Sequence, residues 1–330
     1  METHAHSKLR DPKLGNRRSA STTYTVGPLA DVTGSAHRRR VSQTKVEVRH
    51  TPSLSDLEWL RHGFSTRLGG QTVVYSKSQK TGELNLGFTA SDTKANVVAN
   101  RKCFLEAVTG DSQFPMVTLH QIHSGIVLRV NTLRQAADSG FAKADGVMTS
   151  KQGLLLAIQT ADCIPILVAD RRQRAVAAFH AGWRGTLKRI VERGVGQMRL
   201  EFGSKPEDLV AAIGPGIGQC CYAVGEEVRD EFESQFSYVE ELFREIGNSD
   251  PVKEKYPLSF LTARPGHGNP ALHLDLVEAN RRQLLDAGLN ANAISAIPDC
   301  TSCHTGRYFS YRAEGGFTGR MLSVIGIRPG

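Results

Sequence analysis

Apolar residues gather in the middle of the chain in short unbroken runs. Leu-Leu-Leu-Ala-Ile (154–158), Ile-Pro-Ile-Leu-Val (164–168) and Ala-Val-Ala-Ala-Phe (175–179) carry no charge. Such runs predict strands covered on both faces. Pro165 is tolerable at the start of its strand and would not be at the centre. The polar stretch 170–174 predicts a turn between the last two runs. Further strands are expected over 62–70 (running into a loop), 116–120, 126–130, 209–213, 294–297, 308–311 and 321–327. Helical spacing begins after Ser91 or Asp92, either of which can cap a helix to residue 108. Its apolar face is Val97, Phe104, Leu105 and Val108, with Gly110 as its stop. A second helix is expected over 186–202, with Leu187, Ile190, Val191, Val195 and Met198 as its buried stripe. Others are expected over 225–232 and, capped by Asp275 with Glu278 completing a capping box, up to residue 287. A short helical turn is expected over 54–60. Short strands mixed with helices predict an α+β fold of layered helices and mixed sheets rather than a doubly wound sheet.

Charge divides the chain in two. The 330 residues carry a net +8, but residues 1–45 alone hold nine Lys or Arg against three acids. A folded body from residue 46 to 330 is therefore nearly neutral. The first 45 residues are poor in apolar side chains and predict a disordered basic tail. Arg38–Arg40 in it could touch nucleic acid or an anionic membrane, though no enzyme in the body would require nucleic acid. The tail's Arg- and Ser-rich composition also fits an organelle transit peptide. No apolar run is long enough to span a membrane and no signal-peptide core is visible, so a cytoplasmic protein with six reduced cysteines is expected. The oligomeric state is left open.

The candidate chemistry lies where the predicted strands end. His123, Cys163 and His180 supply two imidazoles and a thiolate, a set that suits a catalytic zinc with its fourth position open. His120 competes with His123. Cys163 and His180 also suit a thiol hydrolase or deamidase, with Cys163 as nucleophile and Asp162 or another acid orienting the histidine. A multicopper oxidase needs several His-x-His pairs; the chain has one, His4-Ala-His6, in the tail. Cys300-Thr-Ser-Cys303-His304 matches a haem-attachment pattern but reads better as two thiols in a turn. With no second ligand pair evident, a zinc knuckle is not expected, and Cys220-Cys221 reads as packing. Gly214-Pro-Gly-Ile-Gly218 reads as a tight turn rather than a dinucleotide fingerprint. Arg67, Arg184 and Arg312 would form an anion site if loops bring any two together.

At these residues the chain resembles the purine nucleoside phosphorylases formerly labelled polyphenol oxidases or laccase-domain (YfiH-like) proteins. Matching segments run in order from about residue 60 to 328. They include Gly-Phe-Ser-Thr-Arg (63–67), Leu-Asn-Leu-Gly (84–87), Gln-Ile-His (121–123), Ala-Asp-Gly-Val-Met-Thr (144–149) and Thr-Ala-Asp-Cys-Ile-Pro (160–165). His-Ala-Gly-Trp-Arg-Gly (180–185), Gly-Pro-Gly-Ile (214–217), Asp-Cys-Thr (299–301), Phe-Ser-Tyr-Arg (309–312) and Thr-Gly-Arg-Met (318–321) follow. The resemblance implies a single α/β/β/α domain and a Zn2+ ion held by His123, Cys163 and His180. It implies phosphorolysis of adenosine, inosine, guanosine and methylthioadenosine, with adenosine deamination beside it. Purine nucleosides and phosphate are the implied partners. His123, Cys163, His180 and Arg184 take the catalytic positions; Arg67, Asn85 and Arg184 take positions for substrate. Ser124 stands where glycine is common, and Gly216 where alanine is.

Overall fold

Period-two alternation splits each apolar run between two hydrophobic layers. In the strand Leu154–Thr160, Leu154, Leu156 and Ile158 meet Leu167, Ala169, Val176 and Ala178 of a second sheet. Leu155 and Ala157 point the other way, onto Phe104 and Leu105 of the helix Lys94–Thr109. In the second sheet, Ile166, Val168, Ala177 and Phe179 pack against Ile190, Val191, Val195 and Met198 of the helix Ile190–Phe202. Leu276, Ala279 and Leu284 of the helix Leu276–Asp286 join the same cluster. The result is helix, sheet, sheet, helices: four layers around three apolar interfaces, which is why the central strands carry no polar face. This computed structural model describes residues 45–76, 82–138, 142–247 and 271–330. The expected basic tail lies outside them, apart from Lys45.

The first sheet has five strands, in the order Val48–Arg49, Leu60–Ser65, Met321–Ile327, Leu154–Thr160 and Met116–Val117. The second has six: Ile294–Ala296, Leu209–Ile213, Ile164–Asp170, Ala175–Ala181, Gly146–Thr149 and Val127–Arg129. Both are mixed; most neighbours run antiparallel, but Met116–Val117, Val127–Arg129 and Ile294–Ala296 pair parallel with theirs. A small antiparallel sheet of Ala223–Val224, Ala271–Leu274 and Phe243–Ile246 stands beside them. Among the described residues no helix is long and apolar enough to cross a membrane.

Four local expectations are corrected. The first long helix is capped by Thr93, whose side chain accepts the Asn96 N–H, while Asp92 turns to Thr72 and Asn85. The helix expected over 186–202 is two helices, Trp183–Leu187 and Ile190–Phe202, separated by Arg189 in the left-handed region at φ 56°. Residues 308–311 are irregular rather than a strand, because side chains take their backbone groups. Arg67 Nη1 donates to the Tyr308 carbonyl, and the Ser310 N–H donates to Glu314. At the last helix Asp275 caps the Glu278 N–H as expected, but Glu278 pairs with Arg281 and Arg282.

Candidate metal centre and its cavity

Antiparallel pairing sets Ile164 opposite Ala181 and Pro165 opposite His180. Cys163 stands one step beyond the paired residues, beside Gly182. A Cβ on Gly182 would lie 2.8 Å from Cys163 Sγ and 3.1 Å from His123 Cδ2, so a side chain there would fill the site. His123 arrives on the loop that precedes the strand Val127–Arg129. Gln121 fastens this loop to the first sheet: its Nε2 donates to the Gln159 carbonyl at 2.7 Å, and its Oε1 accepts the Gln159 N–H at 2.8 Å. Together His123, Cys163 and His180 place one ligand atom each within 4.8 Å of the others. Cys163 Sγ is 3.9 Å from His123 Nε2, and the two imidazole rings meet edge to face at 4.9 Å.

Asp145 wires the centre together. Fully buried beside the strand Gly146–Thr149, its Oδ1 meets His180 Nδ1 at 2.8 Å and accepts the His123 N–H at 2.9 Å. Its Oδ2 accepts the N–H groups of Ile122 and Ser124 and the Ser124 hydroxyl, at 3.2, 2.6 and 2.7 Å. One carboxylate thus fixes the ring of one candidate ligand and the backbone of another. The left-handed φ of 57° at His123 costs about 1 kcal/mol or more, and these bonds offset it. With Nδ1 engaged, Nε2 of His180 is the nitrogen left to bind a metal.

The charges agree with that wiring. Burial opposes ionisation of Asp145, but its bonds to His180 and Ser124 outweigh burial and hold the carboxyl far below the usual range. Burial also opposes charge on Cys163 and His180. The attraction between them, reinforced by His123 on one side and Asp145 on the other, lowers the thiol to about 6 and raises the imidazole to about 9.

The triad opens into a cavity of about 880 Å³. Arg184, Arg312 and Arg320 line it with Phe88, Trp183, Tyr222 and Tyr311. Arg184 lies over the Trp183 ring at 4.1 Å and Arg312 over Tyr222 at 5.2 Å. None of the three guanidinium groups joins an ion pair among the described residues. Arg67 and Asn85 do not line the cavity. Arg67 donates to Glu83, Glu314 and the carbonyls of Thr305 and Tyr308, which occupies its guanidinium inside the fold. Buried Asn85 accepts the Arg320 N–H at 2.9 Å, donates to Asp92 and bonds the backbone of Gly87, so it reaches the cavity indirectly, through Arg320 and the residue before Phe88.

His120 also lines the cavity but stands outside the triad. Asp162 is turned away from Cys163 and His180. Its carboxylate accepts the Thr301 hydroxyl at 2.6 Å and the Arg312 N–H at 2.7 Å, at a φ of 90°. The acid that orients His180 is Asp145, which sequence reasoning passed over. Its signal was a single carboxylate between Ala144 and Gly146 at the threshold of an apolar strand. Arg320, inside the Thr-Gly-Arg-Met segment, and Tyr222, next to Cys220-Cys221, also line the cavity without a role expected from sequence.

A family model described as multi-copper polyphenol oxidoreductase laccase matches residues 61–328. A Geobacillus stearothermophilus protein named purine nucleoside phosphorylase YlmD is 34% identical over 283 residues, covering 82% of this chain and 94% of the relative. A Deinococcus radiodurans protein named purine nucleoside phosphorylase is 36% identical, covering 81% of this chain and 88% of its own. The crystal structure of a Bacillus licheniformis hypothetical protein YfiH superposes with a TM-score of 0.68 at 30% identity, over 82% of this chain and 94% of that one.

Proposed function

The chain belongs to the multi-copper polyphenol oxidoreductase laccase family, and we propose that its reaction is phosphorolysis of purine nucleosides. Adenosine, inosine, guanosine or methylthioadenosine would react with phosphate to give the free base and the sugar 1-phosphate, with adenosine deamination as a second activity. One observation carries this reading. A His-Cys-His centre shares a single cavity with several aromatic rings and with three guanidinium groups that no carboxylate neutralises among the described residues. Cation and ring together suit a substrate pair of phosphate and nucleoside. The names of the bacterial relatives support the same reading.

The donor set fits zinc. Two imidazoles and a thiolate converge, a buried carboxylate orients one imidazole, and Gly182 leaves the space between them clear. A zinc ion held by His123, Cys163 and His180 would supply a Lewis acid and a fixed positive charge. A multicopper relay is not favoured: the other cluster of ligand-type side chains among the described residues is four cysteines.

The remaining work falls to the chain itself. Arg184, Arg312 and Arg320 hold the phosphate dianion, and the guanidinium fork fixes its orientation as well as its charge. Tyr222, Trp183 and Phe88 hold the purine against their rings. A phosphate oxygen attacks the ribose C1′ as the C–N bond breaks, and the purine leaves with the bonding pair. Positive charge builds on the sugar in that step, and the phosphate held beside it stabilises that charge. Asn85 is a positioning residue through Arg320, and Arg67 through the 305–314 turn.

A thiolate–imidazolium pair also suits a Cys-His hydrolase or deamidase, and the low Cys163 and high His180 pKa values favour keeping that second reading. Chelation and alkylation separate the two. On the phosphorylase reading, removing metal abolishes base release and restoring zinc recovers it, while iodoacetamide acts slowly on the zinc-loaded enzyme. Activity that survives chelation and falls rapidly to iodoacetamide would establish the hydrolase instead. Inosine formed from adenosine without phosphate measures the deaminase separately.

A further inference from the structure

A second group of metal-ligand side chains lies outside the catalytic triad. Cys220, Cys221, Cys300 and Cys303, far apart in sequence, bring their four sulfur atoms within 4.8 Å of one another. Cys221 packs against the core as expected, and the Cys220-Cys221 pair also stands where a second ligand pair for the Cys300–Cys303 turn would be. The sulfurs of Cys220 and Cys303 are 3.5 Å apart, and those of Cys221 and Cys303 are 3.4 Å apart. Four thiolates around one zinc at about 2.3 Å stand roughly 3.8 Å from each other, whereas a disulfide needs about 2.05 Å. The cluster therefore has the spread of a coordination shell.

The backbone builds the shell. The Gly218 N–H donates to Cys300 Sγ at 3.2 Å, a bond that favours thiolate. A Cβ on Gly218 would sit 3.2 Å from Cys300 Cβ and 3.3 Å from Cys220 Sγ, tighter than nearly all such contacts, so glycine suits this approach. The two cysteine pairs are held on adjoining turns. The Thr301 N–H donates to the Gly216 carbonyl at 2.9 Å, and the Cys221 and Tyr222 N–H groups donate back to Gly218 at 3.0 and 3.1 Å. His304, the neighbouring imidazole, has its Nδ1 3.0 Å from the Cys300 carbonyl. An all-thiolate set of four selects a soft ion in tetrahedral geometry and leaves no position open for substrate.

We propose that Cys220, Cys221, Cys300 and Cys303 bind a structural zinc ion that clasps the 216–222 and 300–304 turns together beside the catalytic cavity. The clasp has a target. Tyr222 follows Cys221 directly and lines the cavity, and Arg312 lies over its ring and donates to the Ala223 carbonyl. Thr301, next to Cys300, holds Asp162, which in turn holds the Arg312 N–H. Tightening the two turns thus fixes one aromatic and one cationic wall of the site. The proposal stands on the cysteine geometry alone and does not depend on the reaction assigned above.

Metal content of the full chain, purified under reducing conditions, tests it. Wild type should carry two zinc ions per chain. A His123→Ala/Cys163→Ala double variant should keep one, and a Cys220→Ser/Cys303→Ser double variant should keep one. Loaded with cobalt(II), the His123→Ala/Cys163→Ala variant should show the strong charge-transfer bands of a tetrathiolate site, a readout that does not require the cysteine variant to fold. Hydrogen exchange at 216–224 and 299–313 should quicken in the cysteine variant. One zinc per wild-type chain, lost with His123 and Cys163, would overturn the proposal. So would a Cys303-linked disulfide in the reduced, freshly purified protein, or a cobalt site without tetrathiolate bands.

Discussion

Asp145→Asn isolates what one buried carboxylate does. The substitution keeps the volume but removes the charge that faces His180 Nδ1 and the N–H groups of residues 122–124. Zinc affinity at the triad should fall 10- to 100-fold, the usual consequence of losing a carboxylate behind a histidine ligand. Competition against a chromophoric chelator measures it, and unchanged affinity would remove Asp145 from the account. The Cys163–His180 pair predicts a pH dependence in metal-free protein. Thiolate is the reactive form, so alkylation of Cys163 should accelerate as pH rises through about 6, well below an ordinary thiol. A midpoint near 8.5 would show that the neighbouring imidazoles do not stabilise the thiolate. At this scale His123, Cys163, His180 and Arg184 were legible because each breaks an apolar or glycine-rich context. Asp145 was not, because a lone acid beside a strand gives no hint that five donors converge on it. Arg67 and Asn85 were legible as motif residues, but their neighbours in space decide what they touch, and those neighbours lie up to 247 residues away.

The buried strands were the most legible elements, since an uncharged run has nowhere to go but between two layers. The strand Leu60–Ser65 hides a less visible feature. His62 is buried, accepts the Thr51 N–H at Nε2 and lies edge-on to His50 at 5.1 Å. Burial, helped by His50, lowers its pKa to about 4. Between about 4 and 6.5 the unfolded chain binds a proton that the folded chain refuses, so stability should rise with pH across that window and level off above it. The full effect is on the order of 3 kcal/mol. Urea midpoints from pH 4 to 7 should follow this curve in wild type and flatten across it in His62→Gln; identical curves for both would refute the assignment. Where element prediction failed, side chains had outcompeted regular pairing. The 308–311 stretch reads as a strand by composition, yet Arg67, Glu314 and Asp162 capture the backbone groups of Tyr308, Ser310 and Arg312. The break at Arg189 likewise needs a left-handed residue that no local glycine announced.

Across the whole molecule, the two sheets and their outer helices hold rigid the ends from which the site is built. His180 lies in one strand and Cys163 directly precedes its neighbour in the same sheet, while Gln121 ties the His123 loop to the other sheet. The layered architecture was legible because the pattern of apolar runs and amphipathic helices determines which faces must be covered. The cavity was not, since its arginines and aromatic rings come from segments near residues 88, 184, 222, 312 and 320 that only the folded chain unites. On the proposed function, the triad centre and this cavity together carry out phosphorolysis. The most direct test is inosine turnover by purified wild type and Cys163→Ala, with and without phosphate, with zinc content measured on the same samples. Hypoxanthine and ribose 1-phosphate should form only when phosphate is present, with turnover and the triad's zinc both lost in the variant. Zinc bound at the triad with no nucleoside consumed under any condition would contradict it.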